Sequence, residues 1–262
     1  MSLKLQQTVS LVVCTNAKLH GHELDYGPDI CTIKFAEKVH LPDDVPADVA
    51  YDDRKMLALN PSSWFDILKQ QEVTRLKIHY ASSSHELPDR IGAAFVGGGG
   101  KWIVEAVHGS KSDIYKEGER ASGSTSQGFH FLLIARGASP IEDTAISIDT
   151  AFEQLEAVLK EAEEFARGQE YTLHWAGNFE SFRKVLTDEV PKAYDVLFPA
   201  GIIDDKVRHL LAGAFSSWVF GGMGSWNDLP FEGENQRRYE ELSDELFNAI
   251  HQAIIAGVNN HP

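Results

Sequence analysis

His20, His22 and Glu23 form the tightest local group of metal-ligand side chains in the chain. In an extended segment His20 and His22 project from the same side, so two imidazoles with a nearby carboxylate could grip one ion if a further ligand came from elsewhere. That arrangement would serve a hydrolase or metal-dependent enzyme with a dispersed site. No HExxH, no CxxC and no helix with paired His accompanies it, so the expectation is a chain without metal or cofactor. His79, His108, His130 and His174 lie in or beside apolar strand-like segments, where an imidazole is ordinarily a satisfied structural group.

Gly97 to Gly100 followed by Lys101 imitates a phosphate loop, but the spacing fails. That loop needs Gly five residues before the Gly-Lys pair and a hydroxyl after the Lys, whereas Phe95 and Trp102 stand there. A strand-like run follows, so no helix N-terminus would face a phosphate, and a dinucleotide fingerprint fails for the same reason. There is no GxSxG elbow for a serine nucleophile. Cys14 and Cys31, the two cysteines, lie in strand-like segments with no charged setting that would ionise a thiol. They are too few for a disulfide framework, which points to a reducing, cytoplasmic setting. The paired acids Asp43 with Asp44, Asp52 with Asp53, and Asp204 with Asp205 fall in polar loops, where solvated carboxylates give acid or base catalysis no support.

The most distinctive stretch is Phe215 to Phe231, FSSWVFGGMGSWNDLPF, with two Trp, three Phe and three Gly ahead of the last helical pattern. Gly221, Gly222 and Gly224 permit a tight turn, while Trp218 and Trp226 bring apolar area that needs covering, and Asn227 and Asp228 can bond local backbone groups. The combination describes a packed turn that pins itself to the last helix through Tyr239, Leu242 or Leu246, with partner binding as its functional alternative.

Around these residues the elements divide by period. Val9 to Thr15, Ile30 to Ala36, Leu76 to Tyr80, Trp102 to Val107, Ile114 to Tyr115 and Phe129 to Ala135 read as strands, the last in the middle of a sheet. Ala93 to Val96 with Trp102 to Val107 reads as a hairpin across the tetraglycine. A short helix is expected over Trp64 to Gln71, capped by a hydroxyl of Ser62 or Ser63. Later, Phe152, Leu155, Leu159 and Ala162 trace a helix capped by Asp149 or Thr150 and ended by Gly168. Tyr171 to Trp175 and Tyr194 to Phe198 read as strands, with helices over Phe179 to Leu186, Lys206 to Phe215 and Tyr239 to Val258. The expected class is α+β: a mostly antiparallel sheet from the first half, with helices of the second half packed on it. Residues 1–262 are expected to form a single domain, with a possible subdivision near 139–144, where the period changes.

Thirty-nine acidic against 24 basic residues give a formal charge of -15, which opposes binding to nucleic-acid phosphates or anionic membranes and suits a basic protein partner. Asp43, Asp44, Asp52 and Asp53, in the loop LPDDVPADVAYDD, are the first candidates for such a face, with Trp218, Trp226, Asn227 and Asp228 as further binding candidates. No apolar run approaches the roughly 20 residues of a membrane span, and Val9 to Val13 before Cys14 is too short for a lipoprotein leader.

FGGMGSWNDLPF followed by YEELSDELFNAIHQAIIAGVN resembles the C-terminal end of a group of uncharacterised bacterial proteins, some of them associated with polymorphic-toxin immunity. The resemblance covers about the last fifth of the chain. It implies a small cytoplasmic binding or protective protein, and it carries over no catalytic residue. The expected function is therefore that of a non-enzymatic, immunity-like binding protein, with the metal-dependent enzyme at His20, His22 and Glu23 as the alternative.

Overall fold

The structure, a computed structural model, describes residues 3–28, 30–38, 54–83, 88–93, 99–118, 130–199 and 201–260. It is α+β and divides into two compact units. A sheet unit comprises Ser10–His79 and Trp102–Glu142, and a helical unit comprises Met1–Val9, Tyr80–Lys101 and Asp143–Pro262.

The chain begins with α1 (Leu3–Leu19), which corrects the strand expected over Val9 to Thr15. The β-branched run that suggests a strand is part of a longer helical pattern, with Leu5, Val9, Val12, Val13 and Ala17 all buried at spacings of three, four or eight residues. β-Branched residues disfavour helix only weakly, and burial of this pattern outweighs that preference. The second expected strand is shorter than its alternation suggests. Ile30 to Ile33 form turns bonded back to Gly27 and Ile30, so Cys31 is exposed while Ile33 and Phe35 are buried.

Six strands follow: β1 (Lys34–Lys38), β2 (Arg54–Ala58), β3 (Arg75–Ala81), β4 (Lys101–His108), β5 (Lys111–Glu117) and β6 (His130–Ala138), in the sheet order β2-β1-β6-β5-β4-β3. The pairs β1 with β2, β4 with β5 and β5 with β6 are antiparallel, and β1 with β6 is parallel. β6 lies inside the sheet, as its apolar sequence predicts. β4 makes its hairpin with β5 through a turn at Gly109, whose φ is +61°. Ala93 instead closes the short helix α3 (Asp89–Gly92), and residues 94–98 of the hairpin expected across the tetraglycine lie outside the described residues.

α2 (Pro61–Gln70) starts at Asn60, whose Oδ1 accepts from Ser63 N at 2.9 Å. The cap is thus an Asn with Pro at the first helical position, in place of the expected Ser hydroxyl. Trp64 of α2 stacks on Phe35 with centroids 4.2 Å apart and meets Tyr115 edge-on at 5.4 Å, while Phe35 also stacks on Phe131. This aromatic cluster is the centre of the sheet unit. Asn16 of α1 bonds both backbone groups of Leu76, donating Nδ2 to its carbonyl at 3.0 Å and accepting its N–H at 2.8 Å. One side chain thereby satisfies a backbone position on the edge strand β3 as a neighbouring strand would.

The helical unit contains α3, α4 (Ile148–Arg167), α5 (Leu173–Thr187), α6 (Asp205–Ser216) and α7 (Gly233–Asn259). α4 and α6 each pack against both α5 and α7. Ser147 caps α4 by accepting Thr150 N at 3.0 Å, two residues before the expected Asp149 and three before Thr150, and Gly168 ends the helix as expected. Close packing depends on two glycines. A Cβ on Gly213 would fall 2.3 Å from Leu186, and one on Gly257 would fall 2.8 Å from Leu211.

Neither of the two strands expected in this half forms: one is helical and the other is a run of turns. Tyr171 and Thr172 lie in a 3-10 turn that feeds α5, where Trp175, Ala176 and Phe179 are buried at helical spacing. Tyr194 to Phe198 forms turns, with Phe198 N bonded to Tyr194 O at 2.8 Å. Aromatic residues imitate strands by composition, but here their rings stack along helical contacts, Phe198 on Phe215 at 5.5 Å. No helix among the described residues is long and apolar enough to cross a membrane.

Candidate functional site: the glycine-rich turn and the Arg90 cleft

The glycine-rich stretch closes on itself through short-range bonds. Ser225 Oγ donates to Gly221 O at 2.9 Å, Gly224 N donates to Asp228 Oδ2 at 2.6 Å, and Trp226 N reaches back to Val219 O at 3.2 Å. Gly224 has φ +83°, a conformation a Cβ would oppose. The turn carries Met223 out into solvent, fully exposed, and leads Trp226 to Asp228 into a 3-10 turn.

Trp226 is completely buried. Its ring meets Phe179 at 4.9 Å, Tyr239 at 5.4 Å and Trp175 at 5.6 Å. Its indole N–H donates to Ser243 Oγ at 2.8 Å, and the Tyr239 hydroxyl donates to Trp226 O. Trp218 is half-buried. It donates Nε1 to Phe220 O at 2.8 Å and lies 5.7 Å from the Phe247 ring and 5.6 Å from His251. The two tryptophans pin the turn to α7 through Tyr239 and Ser243 at one point and through Phe247 and His251 at another.

Asn227 and Asp228 emerge beside α3. Asn227 Nδ2 donates to Arg90 O at 2.9 Å, and buried Arg90 donates Nε to Asp244 Oδ1 of α7 at 2.5 Å. A cleft of about 220 Å³ opens here, lined by Arg90, Asn227, Asp228, Gln236, Tyr239 and Glu240 together with Ile91 and Leu229. Burial pushes the Tyr239 hydroxyl up to about 12; the Arg90 charge opposes this, and the nearby Asp228 and Glu240 carboxylates add to it. Arg90 could not be found from the sequence, because its partner Asp244 is 154 residues away and no local pattern links them.

Next to this cleft in the helical unit lies a second polar group, also missed by sequence reasoning. The Tyr80 hydroxyl donates to Asp89 Oδ2 at 2.9 Å and accepts Gly100 N at 3.0 Å, while Ser83 gives Asp89 both its N–H and its hydroxyl. The approach of Gly100 to the phenol requires glycine, since a Cβ there would fall 2.4 Å from the Tyr80 ring. Burial pulls the Asp89 carboxyl upward, but the Ser83 and Tyr80 bonds outweigh it and hold it below its ordinary value. Burial, reinforced by Asp89, raises the Tyr80 phenol. His251 lies against Tyr80 at 4.2 Å and Phe247 at 4.1 Å, with Nδ1 bonded to Phe247 O at 2.7 Å. Since a carbonyl only accepts, Nδ1 carries the proton. Burial lowers the His251 imidazole to about 4, keeping it neutral near pH 7.

The sheet unit holds its own buried carboxylate. Glu105 accepts from His79 Nε2 at 2.7 Å, Ser112 Oγ at 2.6 Å and Ile141 N at 2.9 Å. Burial pushes this carboxyl up, yet the three bonds win and hold it below its usual value. Ser112 gives its proton to the carboxylate, and His79 bonds the other oxygen, so the group locks a loop to the strands.

His20, the first residue past α1, bonds Asn16 O through Nδ1 at 2.8 Å, so the extended geometry assumed for His20 and His22 does not apply. His22 and Glu23 line an open cleft of about 680 Å³ with Lys18, Phe65 and Lys69. Lys18 donates to Leu24 O at 2.7 Å and lies 5.2 Å from the Phe65 ring. Among the described residues no group of three His, Cys, Asp or Glu is placed to hold a metal ion. Asp43, Asp44, Asp52 and Asp53 lie outside the described residues. Both thiols are free, Cys14 inside α1 and Cys31 at the surface. No family model, no curated protein and no solved structure matches the chain.

Proposed function

We propose that this chain is a cytoplasmic, non-enzymatic binding protein of the immunity type, whose acidic surface engages a basic protein. The observation that carries the reading is the solvent face at the start of α7. Glu241, Asp244 and Glu245 are each more than half exposed there, alongside Glu234 and Glu240, and these five carboxylates exceed the three cations that meet them, Arg237 and Arg238 in the same turns and Arg90, which pairs with Asp244. The face adjoins the glycine-rich turn that carries the resemblance to immunity-associated proteins. By sequence Asp43, Asp44, Asp52 and Asp53 belong to the same reading, and the free thiols agree with a reducing compartment. Charge complementarity of this kind speeds association and makes it sensitive to salt.

The immobilised chain, presented with extract of its source organism at low ionic strength, is expected to retain a basic protein that elutes as salt rises. A variant carrying Glu241→Lys and Glu245→Lys is expected to lose it. Retention of no basic protein, or equal retention by the variant, overturns the proposal.

A further inference from the structure

The Arg90 cleft combines features that select its occupant. Asn227 lines the cleft and donates through Nδ2 to Arg90 O, which fixes the amide orientation and with it the place of Oδ1. That oxygen is buried and has no hydrogen-bond partner among the described residues, although a buried amide oxygen ordinarily has one. A donor entering the cleft would supply it.

The charges point the same way. Asp228 and Glu240 line the cleft; Asp228 Oδ2 accepts only from Gly224 N and Glu240 Oε1 from Gln236 Nε2 among the bonds these residues make. The cation in the wall, Arg90, is already paired with Asp244 at 2.5 Å, so its charge is compensated within the unit. The remaining lining is negative, and the Tyr239 ring, Ile91 and Leu229 supply an apolar wall for an alkyl stem. An anion would meet two carboxylates and an amide oxygen, none of which can donate to it.

We infer that this cleft receives a cationic side chain, arginine or lysine, from a protein partner, with Asn227 Oδ1, Asp228 and Glu240 accepting its N–H groups. The inference rests on the basic-partner reading above and assigns it an anchor point: a partner held mainly by long-range charge would gain a fixed register from one inserted side chain.

Fluorescein-labelled hexaarginine, hexalysine and hexaglutamate provide the test, by fluorescence anisotropy at low ionic strength. Two double variants remove the same charge. Asp228→Asn with Glu240→Gln alters the cleft while keeping an acceptor for Gly224 and Gln236, and Glu241→Gln with Glu245→Gln alters the neighbouring ridge. Both cationic peptides are expected to bind wild type. The cleft variant is expected to weaken them about tenfold or more, and the ridge variant less than about threefold, because Glu241 and Glu245 are already paired with Arg237 and Arg238 whereas the cleft carboxylates act together with Asn227 on one inserted side chain. The side-chain amide resonance of Asn227 is expected to shift as hexaarginine is added. Equal weakening by the two variants, or an unmoved Asn227 amide, overturns the cleft while leaving the basic-partner reading in place. No binding of either cationic peptide overturns both, and preferential binding of hexaglutamate assigns the cleft to an anion through Arg90. Thermal melts of both variants within a few degrees of wild type confirm that the comparison concerns binding.

Discussion

Trp226 donates its indole N–H to Ser243 Oγ at 2.8 Å, joining the glycine-rich turn to α7 with a bond inside the core. Ser243 Oγ in turn donates to Tyr239 O at 2.6 Å, so the serine accepts from the turn on a lone pair while its own proton is held by the backbone of α7. The most peculiar stretch of the sequence is thus fixed by its largest side chain, which leaves Asn227 and Asp228 held in place beside Arg90.

Trp226→Ala removes a fully buried ring, and a loss of about 3 to 5 kcal/mol is expected from the vanished contacts and the cavity. Ser243→Ala should cost about 1 to 3 kcal/mol, because it leaves the indole N–H buried without a partner. Denaturant midpoints measure both. A loss under about 1 kcal/mol for Trp226→Ala would mean that the ring does not hold the turn.

Gly100→Ala places a methyl 2.4 Å from the Tyr80 ring and 2.5 Å from Ala81 O. One of these contacts is backbone, so relief requires the strand end or the loop to move, and about 1 to 3 kcal/mol is expected to be lost. Gly222→Ala is the matched control, since a Cβ there has nothing within 4 Å and an effect within about 0.5 kcal/mol is expected. Equal melting temperatures for the two variants would refute the role given to Gly100.

The contrast between these glycines shows what could be read from the sequence. The long helices were legible because their apolar stripes are local: Tyr239, Leu242, Leu246, Ile250, Ala253 and Val258 are all buried. The inner strand β6 was legible because its run from Phe131 to Ala135 is continuously apolar. α1 was not, since Val9 to Thr15 satisfies a strand pattern by itself and shows a helical one only when Leu5 and Ala17 on either side are included. Tyr171 and Tyr194 misled in a similar way, through aromatic content. The site was half legible. The turn announces itself by composition, but Arg90 with Asp244 and His79 with Glu105 are pairings across distant segments, and no spacing rule connects them.

Glu105→Gln exchanges an acceptor of three bonds for an amide that must turn a donor toward one of its former donors. Because the group is wholly buried, about 2 to 4 kcal/mol of stability is expected to be lost. Ser112→Ala, which removes one donor and leaves the other two, should cost less. Denaturant unfolding of both variants checks the order, and the reverse order would show that His79 and Ile141 contribute little to holding the carboxylate.

Cys14 and Cys31 should separate cleanly toward an alkylating agent. Burial pushes the Cys14 thiol up to about 11, so at about pH 8, near the ordinary thiol value, it carries almost no thiolate and no access. Cys31 is exposed. Iodoacetamide is expected to add once to the folded chain, at Cys31, and twice in denaturant, as mass spectrometry of the intact protein and its peptides would show. Native labelling of Cys14 would contradict the helix that buries it.

His251 predicts the acid side of the stability profile. The unfolded chain takes up this proton near the ordinary value of 6.5, whereas the folded chain refuses it until about 4. Between those values the unfolded state binds more protons, so stability falls as pH falls; above 6.5 the contribution is fully present, and below about 4 it is gone. The separation corresponds to about 3 kcal/mol. Glu105 and Asp89, held below their ordinary 4.5 and 3.8, contribute stability that begins to disappear only as pH falls through those ordinary values, so the interval from about pH 6.5 to 5 lies above the loss of these two carboxylates. His251→Phe keeps a ring against Tyr80 and Phe247 but cannot titrate. Urea midpoints across this interval should therefore decline for wild type and flatten for the variant, and an unchanged decline in the variant would place the titrating group elsewhere.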